Sequence, residues 1–122
     1  MNESIDDAYR AFQEGLRLLE SANAHAAAVA LERACDLEPE QGSIREALGR
    51  AYFRCARYPA AATEFHRAVD LDPVNDYAHF GLGLSLLRLG DRDRARGHLK
   101  LAVAMRPLDE YRKALALVGE EA

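Results

Sequence analysis

Pro39, Pro73 and Pro107 stand 34 residues apart, and the residues leading into each proline are edited copies of one another. Ala30-Leu31-Glu32-Arg33-Ala34-Cys35-Asp36-Leu37-Glu38-Pro39 returns as Glu64-Phe65-His66-Arg67-Ala68-Val69-Asp70-Leu71-Asp72-Pro73. It returns again as His98-Leu99-Lys100-Leu101-Ala102-Val103-Ala104-Met105-Arg106-Pro107. The same period aligns Gly15 with Gly49 and Gly83, and Ala27 with Ala61 and Ala95. A unit this short cannot bury an apolar face by itself, so the copies must stack and share a core between neighbours.

Each unit reads as two helices. The first helix starts around Ser4, which has Asp7 at the capping spacing, and runs to about Ser21. Asn23 breaks it, and an alanine-rich second helix runs from about His25 to Glu38, where Pro39 stops further hydrogen bonding. In the second unit Ser43 and Glu46 repeat the capping spacing, with helices expected at about 43–56 and 59–72. Pro59 falls in a first turn, where its missing N–H costs nothing. The third unit opens at Asn75-Asp76, and Gly90-Asp91 supplies a left-handed turn residue followed by a cap between its helices. A last helix, Glu110 to about Val118, ends at Gly119 and is expected to cover the apolar face left by the third unit.

A small pair around Gly in the first helix, Ala then Leu or Phe then Ala in the second, and a closing Pro resemble the tetratricopeptide repeat. Leu48-Gly49, Tyr52, Ala61, Phe65, Ala68 and Pro73 make the second unit the fullest match. The resemblance covers about residues 8 to 109. It implies an all-α fold, an α-solenoid forming a single domain over 1–122. Its parts are three stacked helix-turn-helix repeats, about 8–41, 42–75 and 76–109, and a capping helix at about 110–119. One column that the family fills with a large apolar residue holds Ala11, Arg45 and His79, and Glu14 stands where Leu48 and Leu82 do. Looser packing between the first helices is therefore expected.

At 100° per residue the columns of the first helices separate into two faces. Ala11, Gly15 and Leu18, with Leu48, Gly49, Tyr52, Leu82, Gly83 and Leu86, face the second helix of their own repeat. Nearly opposite lie Tyr9, Phe12, Leu16 and Leu19, then Ser43, Glu46, Arg50, Phe53 and Arg54, then Tyr77, Phe80, Leu84, Leu87 and Arg88. The resemblance implies that this second face lines a concave groove for extended peptides or helices, and its aromatic character marks an interaction site. The alternative is that these side chains pack against neighbouring first helices and the cap. Glu20, Arg54 and Arg88 share a column at the groove edge, with Arg50 one turn before Arg54 and Arg57 just beyond it. They form either a solvated ladder in which Glu20 pairs with Arg54 or a place for a carboxylate of a ligand. Family members that grip the acidic tails of heat-shock chaperones do so with Lys, Asn and Arg, whereas the matching places here hold Phe12, Leu16, Ala47, Tyr77 and Gly81. An apolar ligand segment is expected instead.

Other chemistry is excluded by what the residues lack. His25, His66, His79 and His98 form no metal-binding or catalytic motif, and Gly81-Leu82-Gly83 has no strand before it to make a phosphate loop. No catalytic residue, metal or cofactor is expected, and the chain is not read as an enzyme. A net charge of −4 and a pI near 5.5 argue against nucleic acid, which needs clustered Lys and Arg. Asp91 and Asp93 interrupt the one basic run, Arg88 to Lys100, so that run reads as a solvated face. Cys35 and Cys55 align with apolar columns and read as small buried residues of a reducing compartment. No stretch is long and apolar enough for a membrane span, and the acidic start of the chain does not resemble a secretory leader, so a cytoplasmic location is expected. The expected function is a protein-interaction module or scaffold binding an apolar or amphipathic segment of another protein. The alternatives are a small dedicated chaperone for one client and a self-associating assembly protein, which makes a homo-oligomer a further possible partner.

Overall fold

The computed structural model describes residues 3–119, and among them the only regular structure is α-helix. The helices are α1 (Glu3–Glu20), α2 (Ala24–Leu37), α3 (Gly42–Arg54), α4 (Tyr58–Leu71), α5 (Asp76–Arg88), α6 (Arg92–Met105) and α7 (Asp109–Val118). They form three hairpins, α1–α2, α3–α4 and α5–α6, and each second helix also packs on the first helix of the next hairpin. The first helices touch in series, α1 on α3, α3 on α5 and α5 on α7, so their outer sides make one continuous face.

The same turn closes every hairpin. Residues 22, 56 and 90 occupy one repeat column, and all three are left-handed: Ala22 at φ 62°, Ala56 at 60° and Gly90 at 88°. The next N–H folds back in each case, Asn23 to the Leu18 carbonyl at 2.8 Å, Arg57 to Tyr52 at 2.9 Å and Asp91 to Leu86 at 2.9 Å. This arrangement satisfies carbonyls that a helix end otherwise leaves unpaired. Asn23 and Asp91 then cap the following helices, accepting from Ala26 N–H at 3.4 Å and Arg94 N–H at 3.2 Å. Asn75 caps α5 through Ala78 N–H at 3.0 Å. The cap expected at Ser43 is not formed. Gln41 is the N-cap residue of α3 and makes no side-chain cap, while Glu46 accepts instead from Asn75 Nδ2 at 2.9 Å. The cap expected at Ser4 involves a side chain outside the described residues, and α1 is already helical at Glu3.

Packing within a hairpin is set by the glycine column. A methyl group at Gly15 would stand 2.4 Å from the Leu31 side chain, one at Gly49 3.0 Å from Phe65, and one at Gly83 2.7 Å from Leu99. Only hydrogen fits there, and in return Leu31, Phe65 and Leu99 are buried to 2% exposure or less. Each such burial contributes about 1.5–3 kcal/mol. On the second helices the buried residues recur at helical spacing, as in Ala27, Ala28, Leu31, Ala34 and Cys35 of α2, which gives a stripe facing two neighbours at once.

The column expected to loosen the packing instead carries hydrogen bonds. Arg45 donates Nε to the Pro39 carbonyl at 3.0 Å and a terminal nitrogen to Glu64 at 2.9 Å. One repeat later, buried His79 engages the Pro73 carbonyl through Nε2 at 2.8 Å and His98 through Nδ1 at 3.0 Å. Positions 45 and 79, 39 and 73, and 64 and 98 are repeat equivalents, so one lock is built twice from different side chains. It ties the start of a first helix both to the turn before it and to the helix after it. A buried ion pair is weak evidence of stability in itself, but removing one partner leaves the other uncompensated.

The helix α7 closes the third hairpin with Tyr111, Ala114 and Val118 buried. Its last carbonyls, at Val118 and Gly119, accept from Arg92 and Arg96 of α6, while Arg94 pairs with Asp91 at 3.5 Å. Arg92, Arg94 and Arg96 of α6 are thus engaged within the fold. No helix among the described residues is long and apolar enough to cross a membrane.

Candidate functional site

The continuous face of α1, α3 and α5 carries the residues singled out by the repeat columns, and the structure sorts them into two groups. Arg50, Phe53, Arg54, Tyr77, Phe80 and Leu84 converge, with Phe65 and Gly81, around one small pit of about 50 Å³ between α3 and α5. Arg88 joins them from the next turn of α5, its guanidinium 5.6 Å from the centre of the Phe53 ring. Tyr9, Phe12 and Leu16 lie apart on α1. Tyr9 and Phe12 border a separate cleft of about 290 Å³ with Ile5, Ala8 and Ile44, and Leu16 lies on the flank of α1 beside Gln13 and Glu20.

Phe80 corrects the expectation of an exposed aromatic anchor. It is 4% exposed, with its ring 4.6 Å from Tyr111 of α7 and 5.8 Å from Tyr77. The reason is visible in the columns. Tyr111, Ala114 and Val118 of the cap are the 34-residue equivalents of Tyr77, Phe80 and Leu84, so α7 continues the inner face and covers the α5 side of it. Phe80 therefore floors the pit. Tyr77 is half-buried against Phe65, with ring centres 6.4 Å apart. Burial foremost raises its phenol above the ordinary range, opposed by the nearby Arg50. Phe53 and Leu84 stay half-buried, and Arg54 and Arg88 are exposed.

The arginines are held by neutral groups. Arg54 donates to the Leu19 carbonyl at the end of α1 at 2.9 Å. Arg88 donates to the Tyr58 hydroxyl at 2.9 Å and lies 5.3 Å over that ring, while Arg50 lies 5.8 Å over Tyr77. Glu20 makes no ion pair with Arg54 within 4.0 Å, so the ladder read from the shared column is not formed. Arg57 turns away and covers Tyr52 at 4.4 Å. Tyr58 is the site residue the columns did not indicate. It stacks edge-on to Phe53 at 5.1 Å, and its only sequence signal is that its equivalents are Ala24 and Arg92, making it the one aromatic in that turn column.

Cys35 is buried, which pushes its thiol up to about 11, the opposite of an activated nucleophile. Among the described residues no three His, Cys, Asp or Glu side chains are placed to hold a metal.

A sequence profile of the tetratricopeptide repeat matches residues 48–110, just over half of the chain. The chain belongs to the tetratricopeptide repeat family. No curated protein sequence matches it, but its fold recurs widely among solved structures of the repeat. The second TPR domain of human RPAP3 in complex with an HSP70 peptide superposes with a TM-score of 0.89, at 15% identity, over 97% of this chain and 99% of that one. The first TPR of Spaghetti bound to an HSP90 peptide gives 0.88 at 18% identity, over 93% and 90%. The Yersinia enterocolitica type III secretion chaperone SycD in complex with a peptide of the translocator YopD gives 0.83 at 16%, over 93% and 92%. These identities establish a shared fold, three tetratricopeptide hairpins and a final helix. The pit described here lies between the first helices of the second and third repeats.

Proposed function

We propose that this chain is a protein-interaction module whose concave face holds an apolar or amphipathic segment of a partner protein. One observation carries the reading. Half-buried Phe53, Tyr77 and Leu84 open onto a face that the fold leaves uncovered, and three arginines surround them. Aromatic and arginine side chains gathered at the edge of a depression are the usual anchors of a protein interface. That repeats of the same fold hold peptides in RPAP3, Spaghetti and SycD supports the mode of binding and leaves the ligand to this chain's own side chains. An apolar segment laid across first helices gains from burying its apolar positions, either as a strand-like peptide or as a helix.

Selection of peptides from a random display library on the immobilised protein tests the reading. Peptides that compete for one site, and whose binding is lost in Phe53→Ser while circular dichroism stays unchanged, are the expected result. A wild-type protein that selects no peptide, or binding that survives Phe53→Ser, overturns it.

A further inference from the structure

We infer that the shoulder of the groove formed by Arg50, Arg54 and Arg88 is a carboxylate subsite, so that the segment the groove takes is acidic as well as apolar. The inference rests on the protein-binding reading above and adds the charge of the ligand.

The first support is how the arginines are used. Of the fourteen arginines in the sequence, eight stand within 4.0 Å of a carboxylate among the described residues. Of the remaining six, half are Arg50, Arg54 and Arg88. A protein with a net charge of −4 has more than enough acid to neutralise them, yet among the described residues none is in contact with them.

The second support is how they are held. Arg54 is fixed by a main-chain carbonyl, Arg88 by the Tyr58 hydroxyl and two rings, and Arg50 by the face of Tyr77. Neutral partners orient a guanidinium without cancelling its charge. Each guanidinium has five N–H donors, so Arg54 and Arg88 keep donors free after these bonds. Less ordering entropy remains to be lost when a carboxylate arrives.

The third support is placement. Arg50 and Arg54 are one turn apart on α3 and therefore neighbours on its surface. Arg88 is the repeat equivalent of Arg54 on the adjoining α5, against the Phe53 ring between them. Arg50 and Arg54 also border an open cleft of about 510 Å³ with Leu19, Glu20, Ala22 and Ala24. Glu20 is the only acid among the described residues of that lining and makes no ion pair with them, while Glu46 of α3 accepts from the neutral amide of Asn75 and keeps its charge. Three positive charges thus face a ligand against the two negative charges of Glu20 and Glu46, beside the apolar pit. Planar guanidinium groups match carboxylates in two-point hydrogen bonds. Arg54 and Arg88 stand in the column of Glu20, outside the places of the chaperone-tail grip at Phe12, Leu16, Ala47, Tyr77 and Gly81, whereas Arg50 is the repeat equivalent of Leu16.

The same library selection reads the charge of the ligand directly. Peptides chosen by the wild-type protein are expected to be enriched in Asp and Glu next to Phe and Leu, to bind more weakly as salt is raised, and to lose about tenfold or more in affinity in Arg50→Ala/Arg88→Ala. Glu20→Gln is expected to tighten the same peptides. The charge reversal Arg50→Glu/Arg88→Glu, checked for helicity, is expected to shift the selection from acidic to basic peptides while keeping its apolar residues. Peptides remade with an amidated C-terminus separate the two carboxylate sources: binding kept assigns the subsite to side chains, binding lost to a chain terminus. Selected peptides that are apolar without acid enrichment, or acidic peptides indifferent to Arg50 and Arg88, overturn the subsite and leave the binding groove standing. A wild-type protein that selects nothing overturns the groove itself.

Discussion

Ala56 sits at φ 60°, and Gly97 sits inside α6 with nothing within 4 Å of where a Cβ would stand. Opposite exchanges at these two positions are expected to have the same sign. A left-handed alanine costs about 1–2 kcal/mol, part of which glycine returns through its freer unfolded chain, so Ala56→Gly is expected to stabilise by about 0.5–1 kcal/mol. Gly97→Ala on an exposed helix face removes about 0.8–1 kcal/mol of helix cost. Gly81→Ala makes the same chemical change as Gly97→Ala but puts a methyl group 2.4 Å from the Phe65 ring. Overpacking of that kind costs about 1–3 kcal/mol. Urea unfolding of the three variants ranks them, and a Gly81→Ala protein as stable as Gly97→Ala would mean that α5 is free to move off α4.

At the scale of elements, α5 and its neighbours hold both the clearest success of the repeat columns and their clearest miss. The hairpin turns, the Asn75 and Asp91 caps, and the Gly15, Gly49 and Gly83 contacts were legible because each depends on a residue type tied to one backbone geometry. Phe80 was not, because burial in its column depends on what the next helix presents to it: Tyr111 of α7 lies 4.6 Å from Phe80, whereas half-buried Phe12 meets Ser43, the repeat equivalent of Tyr111 on α3, across an open cleft. Phe80→Ser is accordingly expected to cost about 3–5 kcal/mol, as for emptied aromatic core sites, and half-buried Phe12→Ser about 1–2 kcal/mol. Equal thermal shifts for the two would contradict the placement of α7. The locks at Arg45 and His79 were hidden for a related reason: polar residues in an apolar column read as gaps until the carbonyl and the partner across the turn are seen together. The lock between α5 and α6 has a pH signature. His98 is held below its ordinary value of 6.5, first by burial and then by His79, Arg94 and His66. The unfolded chain thus binds the proton more readily than the folded one. The neutral ring's contribution is present above about pH 6.5 and is lost as the pH falls through that value toward the lower folded one. Guanidinium unfolding across that window should show a steeper loss on acidification in the wild type than in His98→Gln. Parallel curves would remove His98 from the account.

At the scale of the molecule, stability is a chain of neighbour contacts, and the two ends of the described array are not equivalent. α1 packs only on its own partner and on α3, and its outer flank is polar, with Arg10, Gln13, Glu14 and Arg17 exposed. At the other end the third hairpin shows an apolar face, Phe80, Leu99 and Ala102, that packs in one cluster with Tyr111, Ala114 and Val118 of the cap. Tyr111 also donates its hydroxyl to Asp76 Oδ2 at 2.6 Å, so α7 holds the first turn of α5 as well as its middle. In α7 the glycine column is occupied by Leu117, exposed to 72%, and a side chain of that size leaves no room for a second helix to approach as α2, α4 and α6 do. The helix thus finishes the stack instead of extending it, as a terminal cap must. A chain shortened to residues 1–108 should consequently lose several kilocalories of stability, bind a hydrophobic dye through the uncovered Phe80 face, and associate with itself as concentration rises, since an apolar face of that kind exposed to water marks a contact surface. Calorimetric melting and light scattering over a concentration series check this together. A shortened protein that melts like the whole one and stays monomeric would show that the third hairpin closes its own core and that α7 lies on the array without supporting it.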